Sequence, residues 1–363
     1  MKIAVWTNGS APSHTVNILF LQEAQYMTIF RRRAMATTAV AAATAPATPR
    51  PAAATGGGPP VATDSSVGPP AARDAAHAAA FEQLRRELDA DLPRVAATPT
   101  AYLDDACLWR HLRACNYAVA PAAVRLRATL AWRATERVDA LMVAVAAAAT
   151  AAAPAADTAT TPVSGVAAGQ PTPTADDRLP VLYAVSATGK QFVRGVCAAG
   201  RPVLYMRPSL GVAGLKDSAG NIWQLVYNLE RAAATMRVGV EKLTLLIDFR
   251  GYTRRVSPTW AIQRQTLAIL QDHHPERLGL AVMWAAPALF HVAFRLLRPF
   301  IDPVTAAKIV FLSPGVPADV ARMGELFGTQ LLAEYGGDDP WVYTNDAYFG
   351  VDGGGGVLPF HLQ

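Results

Sequence analysis

Cysteine, charge and unbroken apolar sequence are all scarce in this chain of 363 residues, and each shortage removes a class of protein. The three cysteines, Cys107, Cys115 and Cys197, include no Cys-x-x-Cys pair. That excludes a disulfide framework and a cysteine-rich zinc site, and it suits a reducing compartment. Charged residues make up only 17%, and 33 Lys plus Arg against 28 Asp plus Glu leave a net charge of +5. So small a surplus does not suit a nucleic-acid binder. No stretch reaches the roughly 20 consecutive apolar residues that cross a bilayer. Ala140 to Ala153 is mostly alanine and stops at Pro154, and Leu278 to Phe294 is interrupted by Pro287 and His291 before it meets Arg295 and Arg298. Catalytic signatures are missing too: there is no GxxxxGK[ST], no GxGxxG after a strand, no GxSxG and no HExxH.

What is present falls into blocks. Residues 1–72 hold one acidic residue in their first sixty, Glu23, then Arg31-Arg32-Arg33 and Ala/Thr/Pro/Gly repeats. They read as a disordered or targeting tail, and the composition leaves an organelle transit peptide open. Residues 142–177 have the same low-complexity character and read as a linker, although alanine runs without proline also form helix. Residues 349–363, with Gly353 to Gly356 in a row, read as a flexible tail.

Between these blocks, residues 73–141 have only helical periodicity, with Phe81, Leu84 and Leu88, then Leu108 and Leu112, then Val124, Leu130 and Val138 after Pro121. A small helical module is expected. Residues 178–348 alternate short apolar runs (Val203–Met206, Leu243–Ile247, Leu280–Trp284, Ile309–Leu312) with longer amphipathic stretches. That alternation predicts an α/β domain on a largely parallel sheet. Helices are expected over about Asp217–Arg237, Ser257–His273 with Ser257 as N-cap and Pro258 first, Ala288–Arg298, and Asp302–Ala307.

Several residues invite a chemical reading beside a structural one. His273-His274-Pro275-Glu276 looks like metal ligands, but adjacent histidines at a helix end diverge and no third ligand is spaced to join them, so no metal is expected. Asp248 ends an apolar strand before Arg250-Gly251, where it serves a turn as readily as catalysis. In Asp302-Pro303-Val304-Thr305-Ala306-Ala307-Lys308, Asp302 suits an N-cap and Pro303 the first helical position. Thr305 and Lys308, three apart on one helix face, are placed to hold an anion by their side chains, and the alternative is a capped surface helix. Upstream, Phe290, Phe294, Leu297 and Ile301 form one apolar stripe flanked by Arg295 and Arg298, which fits a core-packed helix or one that enters a membrane interface.

The run His274-Pro275-Glu276-Arg277-Leu278-Gly279, followed by Phe294-Arg295-Leu296-Leu297-Arg298-Pro299-Phe300-Ile301-Asp302-Pro303-Val304-Thr305-Ala306-Ala307-Lys308-Ile309, closely resembles the CRAL-TRIO, or Sec14-like, lipid-binding family. Gly200-Arg201-Pro202, the Asp248 to Gly251 strand end, Glu334-Tyr335-Gly336-Gly337, Leu112-Arg113-Ala114 and Trp132-Arg133 agree with it. The resemblance implies a mixed, largely parallel sheet that floors an acyl-chain pocket, flanking helices, a gate helix at about Ala288–Pro299 and a small helical N-terminal module. It also implies a non-enzymatic, cofactor-free carrier. Phosphatidylinositol is the favoured cargo, and Glu276, Thr305 and Lys308 take the headgroup-binding positions. Phe290, Phe294, Leu297 and Ile301 become gate and pocket residues, and Arg295 and Arg298 membrane-facing cations. The expected setting is a cytoplasmic monomer that meets membranes transiently.

Two departures narrow the ligand. Where phosphoinositide-binding members have an arginine and a lysine after the Leu-Arg-Ala stretch, this chain has Cys115 and Asn116. Where phosphatidylcholine-binding members have small hydroxyl residues before Asp248, it has Leu243 and Leu245. Phosphatidylcholine is therefore disfavoured. A sterol, tocopherol or retinoid cargo, and a regulatory module with a vestigial pocket, stand as the alternatives.

Overall fold

The computed structural model describes residues 75–89, 102–152, 176–253, 255, 259–298 and 303–350. The chain divides into two compact units: residues 61–286 with 308–363 hold the helical module and the sheet, and residues 287–307 belong to the other unit.

In the helical module, α1 (Ala75–Asp89), α2 (Asp105–Ala114) and α3 (Val119–Thr135) share one core of Phe81, Leu84, Leu88, Leu108, Leu112, Leu126 and Leu130. The α1 and α2 residues sit at the helical spacings read from the sequence. Asp104 caps α2 by accepting from the Cys107 amide at 2.7 Å, which satisfies one of the free N–H groups of the first turn. In α3 the buried face differs from the expected one. Ala122, Ala123, Leu126 and Leu130 are inside, and Val124 is 66% exposed. The helix begins before Pro121, which lies in the first turn where its missing N–H costs nothing.

α4 spans Val138–Ala152, across the start of the expected linker. The correction has a plain cause. Alanine is the best helix former, and Leu141, Val145 and Ala149 recur every four residues and are all buried, with Met142 beside them. Leu141, Met142 and Val145 join the sheet domain's core with Leu182 of α5 (Leu179–Ser186) and with Phe192 and Tyr227.

The sheet has the order β1 (Gln191–Val196), β2 (Pro202–Met206), β3 (Leu243–Asp248), β4 (Leu278–Trp284), β5 (Ile309–Leu312). β1 is antiparallel to β2, and the other pairs are parallel. The mixed, largely parallel α/β architecture is therefore present, with four strands on the expected apolar runs. β1 gave a weaker signal because Gln191, Arg194 and Gly195 interrupt its apolar sequence.

Two helices cross between the parallel strands in sequence: α6 (Gly220–Ala234) and α7 (Trp260–Ala268). α7 starts later than expected, with Thr259 as the N-cap residue, and Ser257 and Pro258 lie outside the described residues. Its last turn widens over Ile269–His273. Ile222, Leu225, Val226 and Leu229 of α6 with Ile262 and Ile269 cover one sheet face. Met323, Leu326 and Phe327 of α10 (Pro317–Phe327), with Tyr348 and Phe349 of α11 (Asn345–Phe349), share the core on the other. In the second unit, α8 (Ala288–Leu297) and α9 (Pro303–Ala307) are short helices.

Asp248 serves the turn. Its carboxylate accepts from the Arg250 backbone N–H at 2.9 Å, from the Arg250 guanidinium at 2.7 Å and from the Tyr335 hydroxyl at 3.0 Å. Burial and the neighbouring carboxylate drive the Tyr335 hydroxyl far above its ordinary pKa, so it stays a donor. With its oxygens so occupied, Asp248 ties the end of β3 to the Glu334-Tyr335 turn.

Candidate lipid site

On the α6 and α7 side of the sheet the strand registers align two apolar rows. Leu204, Leu245, Ala281 and Ile309 are successive partners across β2 to β5, and so are Met206, Ile247, Met283 and Phe311. Side chains two residues apart share a face, so both rows point the same way. Leu204, Leu245 and Ala281 are buried, whereas all four members of the second row are only half-buried. A row of large apolar side chains left partly uncovered across four strands is a floor suited to an apolar occupant. Leu243 and Leu245, read as departures from phosphatidylcholine binders, are both buried. The one hydroxyl nearby, on Thr244, faces the opposite side and donates to Cys197 Sγ at 3.4 Å.

At the N-terminal end of β4 and β5 the same unit presents Glu276 and Lys308. Glu276 lies two residues before β4, and Lys308 directly precedes β5, its carbonyl accepting from the Ala281 amide at 2.8 Å. Because β4 and β5 are adjacent and parallel, both residues stand at one end of the sheet, and both are half-buried. Glu276 has a φ of 59°, the left-handed region that non-glycine residues seldom occupy.

Thr305 is in α9, half-buried, three residues up the chain in the other unit. The expectation that Thr305 and Lys308 share a helix face is corrected. α9 ends at Ala307, and a five-residue helix carries little dipole, so Lys308 is placed by β5 pairing instead. Asp302, the expected cap, lies outside the described residues, as does Ile301. On α8, Phe290 and Phe294 are half-buried, while Arg295 and Arg298 are exposed. Leu297 closes the helix, and its side chain is outside the described set. Val292 and Leu296, four apart, are 43% and 60% exposed, an apolar strip absent from the expected stripe.

The two histidines of the His273-His274-Pro275-Glu276 run are packing and hydrogen-bonding groups. Trp132 of α3 stacks on His273 with ring centroids 4.2 Å apart, and His274 Nε2 lies 3.3 Å from Glu230 Oε1 on α6. Glu230 also receives both guanidinium nitrogens of Arg133, at 2.7 and 3.2 Å, and Arg133 bonds Asp139 at 2.6 Å. Burial by itself raises a carboxyl pKa and lowers a guanidinium's. The ion pair outweighs burial on both sides, holding Glu230 well below the carboxylate range and Arg133 above its ordinary value. Sequence reading noted Trp132-Arg133 but missed this chain of charges. Its signal was an arginine and a glutamate on the inward faces of amphipathic helices, where an unpaired charge is not tolerated.

These features define an α/β domain with a half-buried apolar row on one sheet face and polar groups at one end of it. Residues 186–337 match the CRAL/TRIO domain. It is 39% identical over 159 residues to a CRAL-TRIO domain-containing protein of Schizosaccharomyces pombe, covering 43% of this chain and 15% of that protein. It is 33% identical over 167 residues to phosphatidylinositol transfer protein PDR17 of Saccharomyces cerevisiae, 45% of each chain. With SEC14 cytosolic factor of Eremothecium gossypii it shares 25% identity over 322 residues, 80% of this chain and 90% of the relative. The first two alignments thus span less than half of those relatives' lengths. Among the described residues no helix is long and apolar enough to cross a membrane.

Proposed function

We propose that this protein carries phosphatidylinositol, with acyl chains on the half-buried Met206–Ile247–Met283–Phe311 row, and exchanges it at membrane surfaces. The observation that carries the reading is Glu276 and Lys308 standing at one end of the same sheet. A carboxylate accepts inositol hydroxyls while an ammonium binds the phosphodiester. Thr305 belongs to the other unit and takes no part in this reading. The name of the PDR17 relative supports this cargo, and no covalent step is involved. Burying acyl chains contributes roughly 25 cal/mol per Å² in the protein or in the bilayer alike, so exchange is near neutral and selection falls to the headgroup.

The membrane-facing element in this reading is α8, whose exposed Val292 and Leu296 enter the interface while Arg295 and Arg298 meet anionic headgroups. The carrier works as a cytoplasmic monomer in transient membrane contact.

Native mass spectrometry with lipid extraction, after incubation of the full chain with mixed liposomes, tests the cargo. Bound phosphatidylinositol that is lost in Lys308→Ala, with an unchanged melting temperature, is the expected result. Equal loading by the variant would remove the headgroup assignment. Recovery of a sterol-like molecule favours the second reading, an apolar cargo, which Leu243, Leu245, Cys115 and Asn116 support. Recovery of no lipid favours a regulatory module.

A further inference from the structure

Glu276 is held in a conformation its own chemistry disfavours. A left-handed backbone crowds the Cβ of a non-glycine residue, and such a residue persists only where its surroundings fix it. Here the fixing contacts come on both sides of Glu276, mostly from the helical module. On the N-terminal side, the Thr129 hydroxyl donates to the Asp272 carbonyl at 3.2 Å and the Tyr102 hydroxyl to the His273 carbonyl at 3.1 Å. Arg125 donates to the Gln271 carbonyl. Trp132 stacks on His273, and His274 is bonded through Glu230 to Arg133, whose guanidinium also lies 4.1 Å from the centre of the Tyr102 ring. On the C-terminal side, Arg277 donates to the Glu241 carbonyl at 2.8 Å, and its own carbonyl receives the Leu243 amide at 2.8 Å. The Glu241 carboxylate is paired in turn with Arg113 of α2.

We infer that the buried Arg133–Glu230–His274 chain is a positioning device that fixes Glu276 for headgroup recognition, so that the helical module works as part of the headgroup site. The inference rests on the phosphatidylinositol reading and extends it. Arg133 and Glu230 touch no lipid in this account. They act by holding residues 272–274 against α3 and α6, which leaves Pro275-Glu276 no room to relax into a commoner conformation. Misplacing a recognition group by about an ångström loses much of its contribution, so the bracket has a direct effect on loading.

The test is a double-mutant cycle on the full chain, with vesicles of phosphatidylinositol in phosphatidylcholine as the probe. Arg133→Met combined with Glu230→Met removes both charges and leaves neither orphaned, which favours a folded variant. The melting temperature establishes that it is folded. The expected result is about a tenfold fall in phosphatidylinositol loading in the parent background and no further fall in the Glu276→Gln background. Unchanged loading, or an equal proportional fall in both backgrounds, overturns the inference, since a merely structural role is indifferent to residue 276.

Where the double variant does not fold, Thr129→Val, which loses the contacts to the Asp272 carbonyl and to His273 Nδ1, is read in the same two backgrounds. A smaller loss confined to the parent background supports the inference, and its absence overturns it. The two levels separate cleanly. A parent chain that takes up no phosphatidylinositol, or a Glu276→Gln variant that loads as well as the parent, defeats the functional reading and the inference with it. Loading that depends on Glu276 but not on Arg133 and Glu230 defeats the inference alone.

Discussion

His111 and His273 show how burial decides what a residue does in this protein. His111 Nδ1 lies 3.0 Å from the Cys107 carbonyl, and its Nε2 is buried without a partner, so a proton added there has no acceptor. Burial lowers its pKa to about 4. His273, stacked under Trp132, is also lowered to about 4, first by burial and then by the neighbouring His274. In the unfolded chain both titrate near 6.5. Between those values the unfolded state binds more protons than the folded one, so stability is fully present above pH 6.5 and is lost as pH falls toward 4. The expected outcome is a denaturation midpoint that declines over that window, and a shallower decline in His273→Gln. A decline of equal slope in the variant contradicts this account of His273.

α4 is the element for which sequence and structure differ most. Its composition is that of a linker, yet a four-residue recurrence of buried side chains anchors it to the sheet domain. Two neighbouring substitutions separate the anchor from the helix itself. Leu141→Ala removes a fully buried side chain and is expected to cost about 2–5 kcal/mol, while Val143→Ala, at a residue 52% exposed, is expected to stay within about 0.5 kcal/mol. Urea denaturation of the two variants checks the contrast, and similar losses at both sites would mean that α4 is held by something other than this stripe. α8 presents a comparable question from its exposed side. If Val292 and Leu296 meet the bilayer, Leu296→Asp slows lipid exchange between vesicles severalfold and leaves thermal stability near the parent's, because a side chain 60% exposed contributes little to the core. Exchange at the parental rate would assign membrane contact elsewhere.

At the scale of the whole molecule, charges and backbone carbonyls join the helical module to the sheet domain beside its apolar contacts. Thr129, Arg125 and Tyr102 all end on carbonyls of residues 271–273, and Arg133 reaches across to Glu230. Such contacts are directional, so they fix the geometry of the Pro275-Glu276 turn in a way that apolar packing alone does not. In the proposed function, the cargo is selected at one end of a sheet whose apolar rows set only its solubility class.

The sequence by itself determined the alternation that makes an α/β sheet, four of its five strands, the helices within residues 75–89 and 105–135 and the run of residues that resembles the CRAL-TRIO family. These are local properties: period, capping and motif are carried by neighbours along the chain. The helical face of α3, the length of α4, strand β1 and the placement of Lys308 by strand pairing were decided only in the tertiary structure. Each depends on which distant side chain covers which face. The Arg133–Glu230–His274 chain belongs with them, since an ion pair between residues about a hundred positions apart has no local pattern and is stable only when burial and geometry are supplied together.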